Sequence, residues 1–138
     1  MPESIARRRF SSDTLELKRI RDWLRALLQQ QDCSVDCTRD AILAINEACM
    51  NIIQHGYHSR ADGEIVLEVF RDGDFMCFQL TDFAPPVDIE TCLPRDLDDV
   101  RPGGLGLHII RSVMDGVRYR EPPANAGNLL ELKIRRNK

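Results

Sequence analysis

Glu47, Asn51 and His55 stand at i, i+4 and i+8 of a segment that reads as one helix, so they form a polar row beside an apolar one. Mg²⁺ takes hard oxygen ligands and keeps several waters, so the Asn51 amide carbonyl together with phosphate oxygens would hold one. Glu47, a turn away, would be placed to orient and deprotonate an attacking hydroxyl or water, a need of phosphoryl transfer. A helix face turned to water carries the same pattern. Asp82 follows a strand and precedes Phe83-Ala84-Pro85-Pro86. Such a carboxylate accepts hydrogen bonds from an exocyclic amine such as that of adenine, and also opens turns before prolines. In Gly103-Gly104-Leu105-Gly106-Leu107-His108-Ile109-Ile110, glycines run straight into an amphipathic helix. Glycines admit a ligand close to the backbone, and the free N–H groups of a helix start favour phosphate. A glycine turn of purely structural role uses the same residues. No Walker lysine follows and no strand leads directly in, so neither the P-loop nor the dinucleotide motif applies.

The elements that must position these residues are legible from periodicity. Arg8 to Ser11 reads as a short edge strand and Ser12-Asp13 as a helix cap. A first helix runs from about Leu15 to Gln30 on the stripe Leu15, Ile20, Trp23, Leu24, Leu27 and Leu28. A second begins near Cys37-Thr38 and continues to about His55, with Ala41, Ile45, Ala48 and Ile52 as its apolar row and Gly56 as its stop. Ile65 to Phe70 and Phe75 to Thr81 are antiparallel strands joined by an Asp-Gly hairpin at Arg71-Asp72-Gly73-Asp74. Asp82 to Gly106 is rich in proline, aspartate and glycine and lacks a period; loops of that length are functional or mobile. A third helix spans about Leu105 to Met114, and Val117 to Arg120 and Asn128 to Ile134 are closing strands. The order β, α, α, β, β, loop, α, β, β predicts an α/β sandwich: a mixed, mainly antiparallel sheet with helices layered on one face.

With 138 residues, the chain has the size of one domain, so sensing or transducing domains of similar size would belong to other polypeptides. Hydrophobic and charged fractions of 43% and 30% exclude general disorder. A net charge of −3 gives no electrostatic reason to expect direct nucleic-acid or membrane binding. The basic end Lys133 to Lys138 reads as the solvated end of a strand. No apolar stretch approaches the ~20 residues that cross a bilayer, and a cytoplasmic location is the expectation. Cys33, Cys37, Cys49, Cys77 and Cys92 are odd in number and lack a Cys-x-x-Cys pair, which suits neither a disulfide framework nor zinc. They read as small apolar residues in or near the core. His55 and His58 share a helical face without a third ligand.

The three pieces, Glu47-x-x-x-Asn51, Asp82-x-Ala84 and Gly104-x-Gly106-Leu107, occur in the order that resembles the GHKL ATPase superfamily of gyrase, heat-shock protein 90, histidine kinases and MutL. Within it the chain is most similar to the stand-alone anti-sigma-factor serine/threonine kinases. Asn46 to Tyr57 resembles that branch's N box, Asp82 to Pro86 its first glycine box and Gly103 to Ile110 its second. The resemblance implies one histidine-kinase-like ATPase domain of the Bergerat type over residues 1–138. It implies Asn51 as Mg²⁺ ligand, Glu47 as catalytic base and Asp82 as the adenine-reading carboxylate. It further implies Ala84, Gly103, Gly104, Leu105, Gly106 and Leu107 at the ATP site, and Asp88 to Pro102 as a lid. Ala84 and Pro86 stand where many members have glycines.

The function so implied is an ATP- and Mg²⁺-dependent serine/threonine protein kinase. It would phosphorylate a STAS-domain anti-sigma-factor antagonist, sequester a sigma factor in its other state, and homodimerise. The alternative is a nucleotide-gated protein-binding module without turnover, suggested by the altered first glycine box.

Overall fold

A computed structural model describes residues 2–87 and 102–138, with 102–106 described by backbone alone. The expected lid, Cys92 included, falls almost wholly outside the described residues.

Five strands form one sheet: β1 (Glu3–Ser11), β2 (Glu64–Asp72), β3 (Phe75–Asp82), β4 (Gly116–Arg120) and β5 (Asn128–Arg135). Their spatial order is β1-β2-β3-β5-β4, and every pairing is antiparallel. That is the limiting case of the mainly antiparallel sheet expected. β1 lies at an edge but begins at Glu3, well before the Arg8 expected. Its run of arginines hides the strand from periodicity yet suits an edge, where charge discourages pairing with other chains. Pairing with a nine-residue β2 carries it outward, with an irregularity between Ser4 and Ala6.

Alternation divides the sheet into two faces. Leu67, Val69, Met76, Phe78, Leu80, Leu130, Leu132 and Ile134 are buried on one. Against them lie α1 (Glu16–Gln30) and α2 (Val35–Asn51), with α3 (Pro102–Val113) packed on α2. Burying a Leu, Ile or Phe side chain is worth about 1.5–3 kcal/mol, so this layer holds the domain together. The stripe of α1 narrows to Leu17, Ile20, Leu24 and Leu28, while Leu15 precedes the helix and is 81% exposed. Asp13 supports that start, its Oδ1 accepting from Leu15 N–H at 3.0 Å.

α2 starts two residues earlier than expected, because Ser34 caps it: Ser34 Oγ accepts from Cys37 N–H at 3.0 Å. It ends earlier too. After Asn51 the chain widens into a π-helical turn, Ile52–Gly56, closed by Tyr57 N–H donating to Ile52 O. His55 falls within this π turn and is exposed, whereas Glu47 and Asn51 are half-buried. In the hairpin, Gly73 has φ +60°, as the turn requires.

Of the described cysteines, Cys37 and Cys49 are buried, Cys33 and Cys77 are half-buried, and all are free. Among the described residues no helix is long and apolar enough to cross a membrane, and no three His, Cys, Asp or Glu side chains cluster as a metal cage.

Candidate nucleotide site

Asp82 is the last residue of β3 and lies in register with Asn128, the first of β5. Alternation places both on the core face, at 4% and 7% exposure. The Asn128 amide nitrogen donates to Asp82 Oδ1 at 2.9 Å, and Ala84 N–H donates to the same oxygen at 3.1 Å. Among the described residues neither bond falls on Oδ2. Burial raises the Asp82 pKa above its ordinary value; the bonds from Asn128 and Ala84 oppose that rise without cancelling it. The result is a buried carboxylate with one oxygen fixed and no cation among its described partners. A hydrogen-bond donor brought to the other oxygen would meet a prepared acceptor.

The surrounding backbone is packed too closely for chance substitutions. A Cβ built on Gly127 would overlap the Ala84 carbonyl outright, and one on Gly56 would lie 3.0 Å from the Ala84 Cβ. Ala84, 3% exposed, therefore occupies room left by glycines on two other elements. Its methyl group is accommodated by Gly56, and its backbone carbonyl by Gly127. Gly127 N–H also donates to Asp82 O at 2.8 Å. Buried Tyr57 joins the end of the π turn to this loop: its hydroxyl donates to Glu64 O at 2.6 Å and accepts from Phe83 N–H at 2.8 Å.

Glu47 and Asn51 are half-buried, one turn apart on α2. The π turn that follows Asn51 ends at Gly56, which lies against Ala84 in the loop that follows Asp82. π turns inside helices recur at functional sites. The glycine cluster differs from expectation: α3 begins at Pro102, so Gly103, Gly104, Leu105 and Gly106 lie in its opening turns rather than ahead of it. Proline is well suited to that first position, where an N–H would lack a helical partner. It leaves the N–H groups of Gly103 and Gly104 as donors without intrahelical acceptors. Leu107 is buried and serves the core. The structure thus sets Ala84, bonded to Asp82, against Gly56 at the end of the π turn, and packs α2 along α3.

Sequence reasoning missed Tyr57, Gly127 and Asn128 as parts of this site. A signal for Asn128 existed: it heads the alternation Asn128, Leu130, Leu132, Ile134, a polar residue in a core register. Asp82 ends the matching series Met76, Phe78, Leu80.

The profile of the histidine kinase-like ATPase domain matches residues 10–134. The serine-protein kinase RsbW of Bacillus subtilis (strain 168) is 30% identical over 114 residues, covering 73% of this chain and 68% of that protein. RsbW of Listeria monocytogenes serovar 1/2a is 28% identical over 103 residues, covering 69% of this chain and 66% of its own length. The chain therefore spans about two thirds of these relatives. Among solved structures, the RsbU and RsbW domains of Rv1364c from Mycobacterium tuberculosis superpose with TM-score 0.64 at 20% identity, over 98% of this chain and 32% of that one. The catalytic domain of histidine kinase ThkA does so with TM-score 0.52 at 12% identity, over 96% and 99%. These last two share the fold. The chain belongs to the histidine kinase-like ATPase domain family, in the anti-sigma-factor serine kinase branch of the GHKL superfamily.

Proposed function

We propose that this protein is an ATP- and Mg²⁺-dependent serine/threonine kinase acting on a small STAS-domain antagonist, as part of a partner switch that also engages a sigma factor. The observation that carries the reading is Asp82 at the end of β3, buried and without a cation among its described partners, in a chain whose relatives are serine-protein kinases. ATP bound with Mg²⁺ supplies the transferable phosphoryl group. On this reading Asp82 accepts from the adenine amine, with Ala84 and Leu107 as apolar neighbours. The N–H groups of Gly103 and Gly104, with Leu105 and Gly106 beside them, face phosphate. Asn51 offers an amide oxygen to Mg²⁺. Glu47 takes the proton from the acceptor hydroxyl. Homodimerisation belongs to the same proposal.

The test is γ-phosphate transfer to a purified single-domain antagonist. Glu47→Ala should retain nucleotide binding and lower transfer by ~10²–10⁴-fold, the usual contribution of a general base. Normal capture of the antagonist with no transfer by the unaltered protein would overturn the kinase reading. It would favour instead a nucleotide-gated binding module, the alternative suggested by Ala84 and Pro86 in the first glycine box.

A further inference from the structure

We propose that Cys33 and Cys37 form a modification site: a dithiol at the joint of α1 and α2 that a hydroperoxide converts to an intramolecular disulfide. The inference stands apart from the nucleotide reading above.

The joint holds Cys33 from both sides. α1 runs out through Asp32 in the left-handed region, at φ +58°, which turns the chain so that Asp32 N–H donates to Gln29 O and Cys33 N–H to Leu28 O, each at 3.1 Å. The next residue, Ser34, is already the cap of α2, its Oγ accepting from Cys37 N–H at 3.0 Å. Cys33 thus closes one helix ending and stands just before the cap of the next, a position whose side chain packs on the turn that follows. Cys37 lies in that turn and is fully buried. The two thiols meet in a hydrogen bond that favours an ionised Cys33 and a protonated Cys37.

Their surroundings divide the roles. Cys33 lines a groove of about 380 Å³ together with Arg25, Gln29, Thr38 and Arg39, so a small oxidant reaches it. Arg136 is fixed beside the joint, one guanidinium nitrogen donating to Gln31 O at 3.0 Å and its carbonyl accepting from Ser34 N–H at 2.9 Å. The bond from Cys37 holds the Cys33 thiol below its ordinary range; Arg136 and Arg71 add to this, while burial and Asp32 oppose it. The thiolate is the form that attacks. Burial instead pushes Cys49 up to about 12 and raises Cys77, so among the described cysteines Cys33 is the nucleophile and Cys37 the thiol placed to resolve it.

The Cys33 thiolate attacks one oxygen of the peroxide and the O–O bond breaks. Cys33 is left as a sulfenic acid, and the hydroxide released takes up the proton that Cys33 had lost. The Cys37 sulfur then attacks the Cys33 sulfur; the S–O bond breaks, and the hydroxyl leaves with the Cys37 proton as water. The two sulfurs give up two electrons and the peroxide receives them. A small thiol reverses the change by exchange.

The experiment treats the folded, unaltered protein with near-stoichiometric hydrogen peroxide, alkylates the remaining thiols and follows tryptic peptides by mass. Cleavage after Arg25 and Arg39 leaves both cysteines on one peptide, residues 26–39. That peptide should become lighter by two hydrogen atoms and resist alkylation, roughly tenfold or more faster than Cys49 or Cys77 is oxidised, and dithiothreitol should restore it. In Cys37→Ala, Cys33 should stop at the sulfenic acid, captured by dimedone; in Cys33→Ser, Cys37 should stay reduced. Oxidation of Cys77 at an equal rate, sulfinic Cys33 without a disulfide, or Cys37 oxidised as readily in Cys33→Ser would each overturn the inference. Where Cys37→Ala does not fold, the peptide from the unaltered protein decides: no loss of two hydrogens there overturns it.

Discussion

The strand pair β3–β5 carries two polar clusters, one on each face, and they differ in what satisfies their carboxylate. On the core face Asp82 meets Asn128 and a backbone N–H, all neutral. On the open face, three register steps along, Glu131 accepts from Gln79 at 3.1 Å and from Arg118 and Arg120 at 2.9 Å each. Glu131 is a charge answered by opposite charges at a half-exposed surface. Asp82 is a carboxylate buried, among the described residues, with only neutral donors around it, which costs stability. The first arrangement closes on itself; the second leaves an acceptor oxygen for a donor from outside. That contrast separates a structural polar cluster from a binding one without reference to motif.

Four substitutions sharpen or break it. Gly127→Ala should do the most damage, ~3 kcal/mol or more in urea unfolding, because the added Cβ meets a backbone carbonyl that cannot step aside. Asp82→Asn should weaken ADP binding by roughly 30-fold or more, with unfolding free energy changed by under ~1 kcal/mol. The new amide oxygen can still accept from Asn128 and Ala84, while an N–H₂ replaces the acceptor oxygen. Tyr57→Phe should cost about 1–2 kcal/mol, since it strands Phe83 N–H and Glu64 O in a part-buried place. Glu131→Gln should cost about 1 kcal/mol or less in urea unfolding and leave ADP affinity unchanged, its arginine partners being 67% and 47% exposed.

Acid titration of stability gives the smallest effect and the cleanest contrast, because the signs are opposite. Burial raises the Asp82 pKa above its ordinary 3.8, so as pH climbs the unfolded chain loses this proton first. Asp82 therefore removes stability from about pH 3.8 up to its folded pKa. Burial also raises Glu131, but its bonds to Gln79, Arg120 and Arg118 outweigh that, and the net pKa lies below the ordinary 4.5. Its stabilisation is present above 4.5 and is lost as pH falls through the folded value. The stability of the unaltered protein minus that of Asp82→Asn should fall with rising pH in this window; the same difference for Glu131→Gln should rise. Slopes of one sign would break the contrast.

The helices and the β2–β3 hairpin were legible because each repeats a short rule: one apolar stripe per helix, one alternation per strand, one Asp-Gly turn. Boundaries failed where a local bond overrides the pattern. Ser34 draws α2 two residues earlier, Pro102 starts α3 ahead of the glycines, and the arginines of β1 conceal a strand that only its partner makes visible. The π turn after Asn51 could not be read at all, since its i→i+5 bonding leaves no mark in residue type. Motif residues on single elements were readable; what supports them was not. Tyr57, Gly127 and Asn128 act across elements far apart in sequence, and Asn128 meets Asp82 only through sheet register.

The central claim is that the buried carboxylate on the core face, Asp82, is kept for a nucleotide. Calorimetric titration of Mg²⁺-ADP into the unaltered protein and Asp82→Asn measures it most directly. The account predicts saturable one-to-one binding in the first and a loss of roughly 30-fold or more in the second, with both equally folded. Equal affinities in the two, or no binding to either, would contradict it.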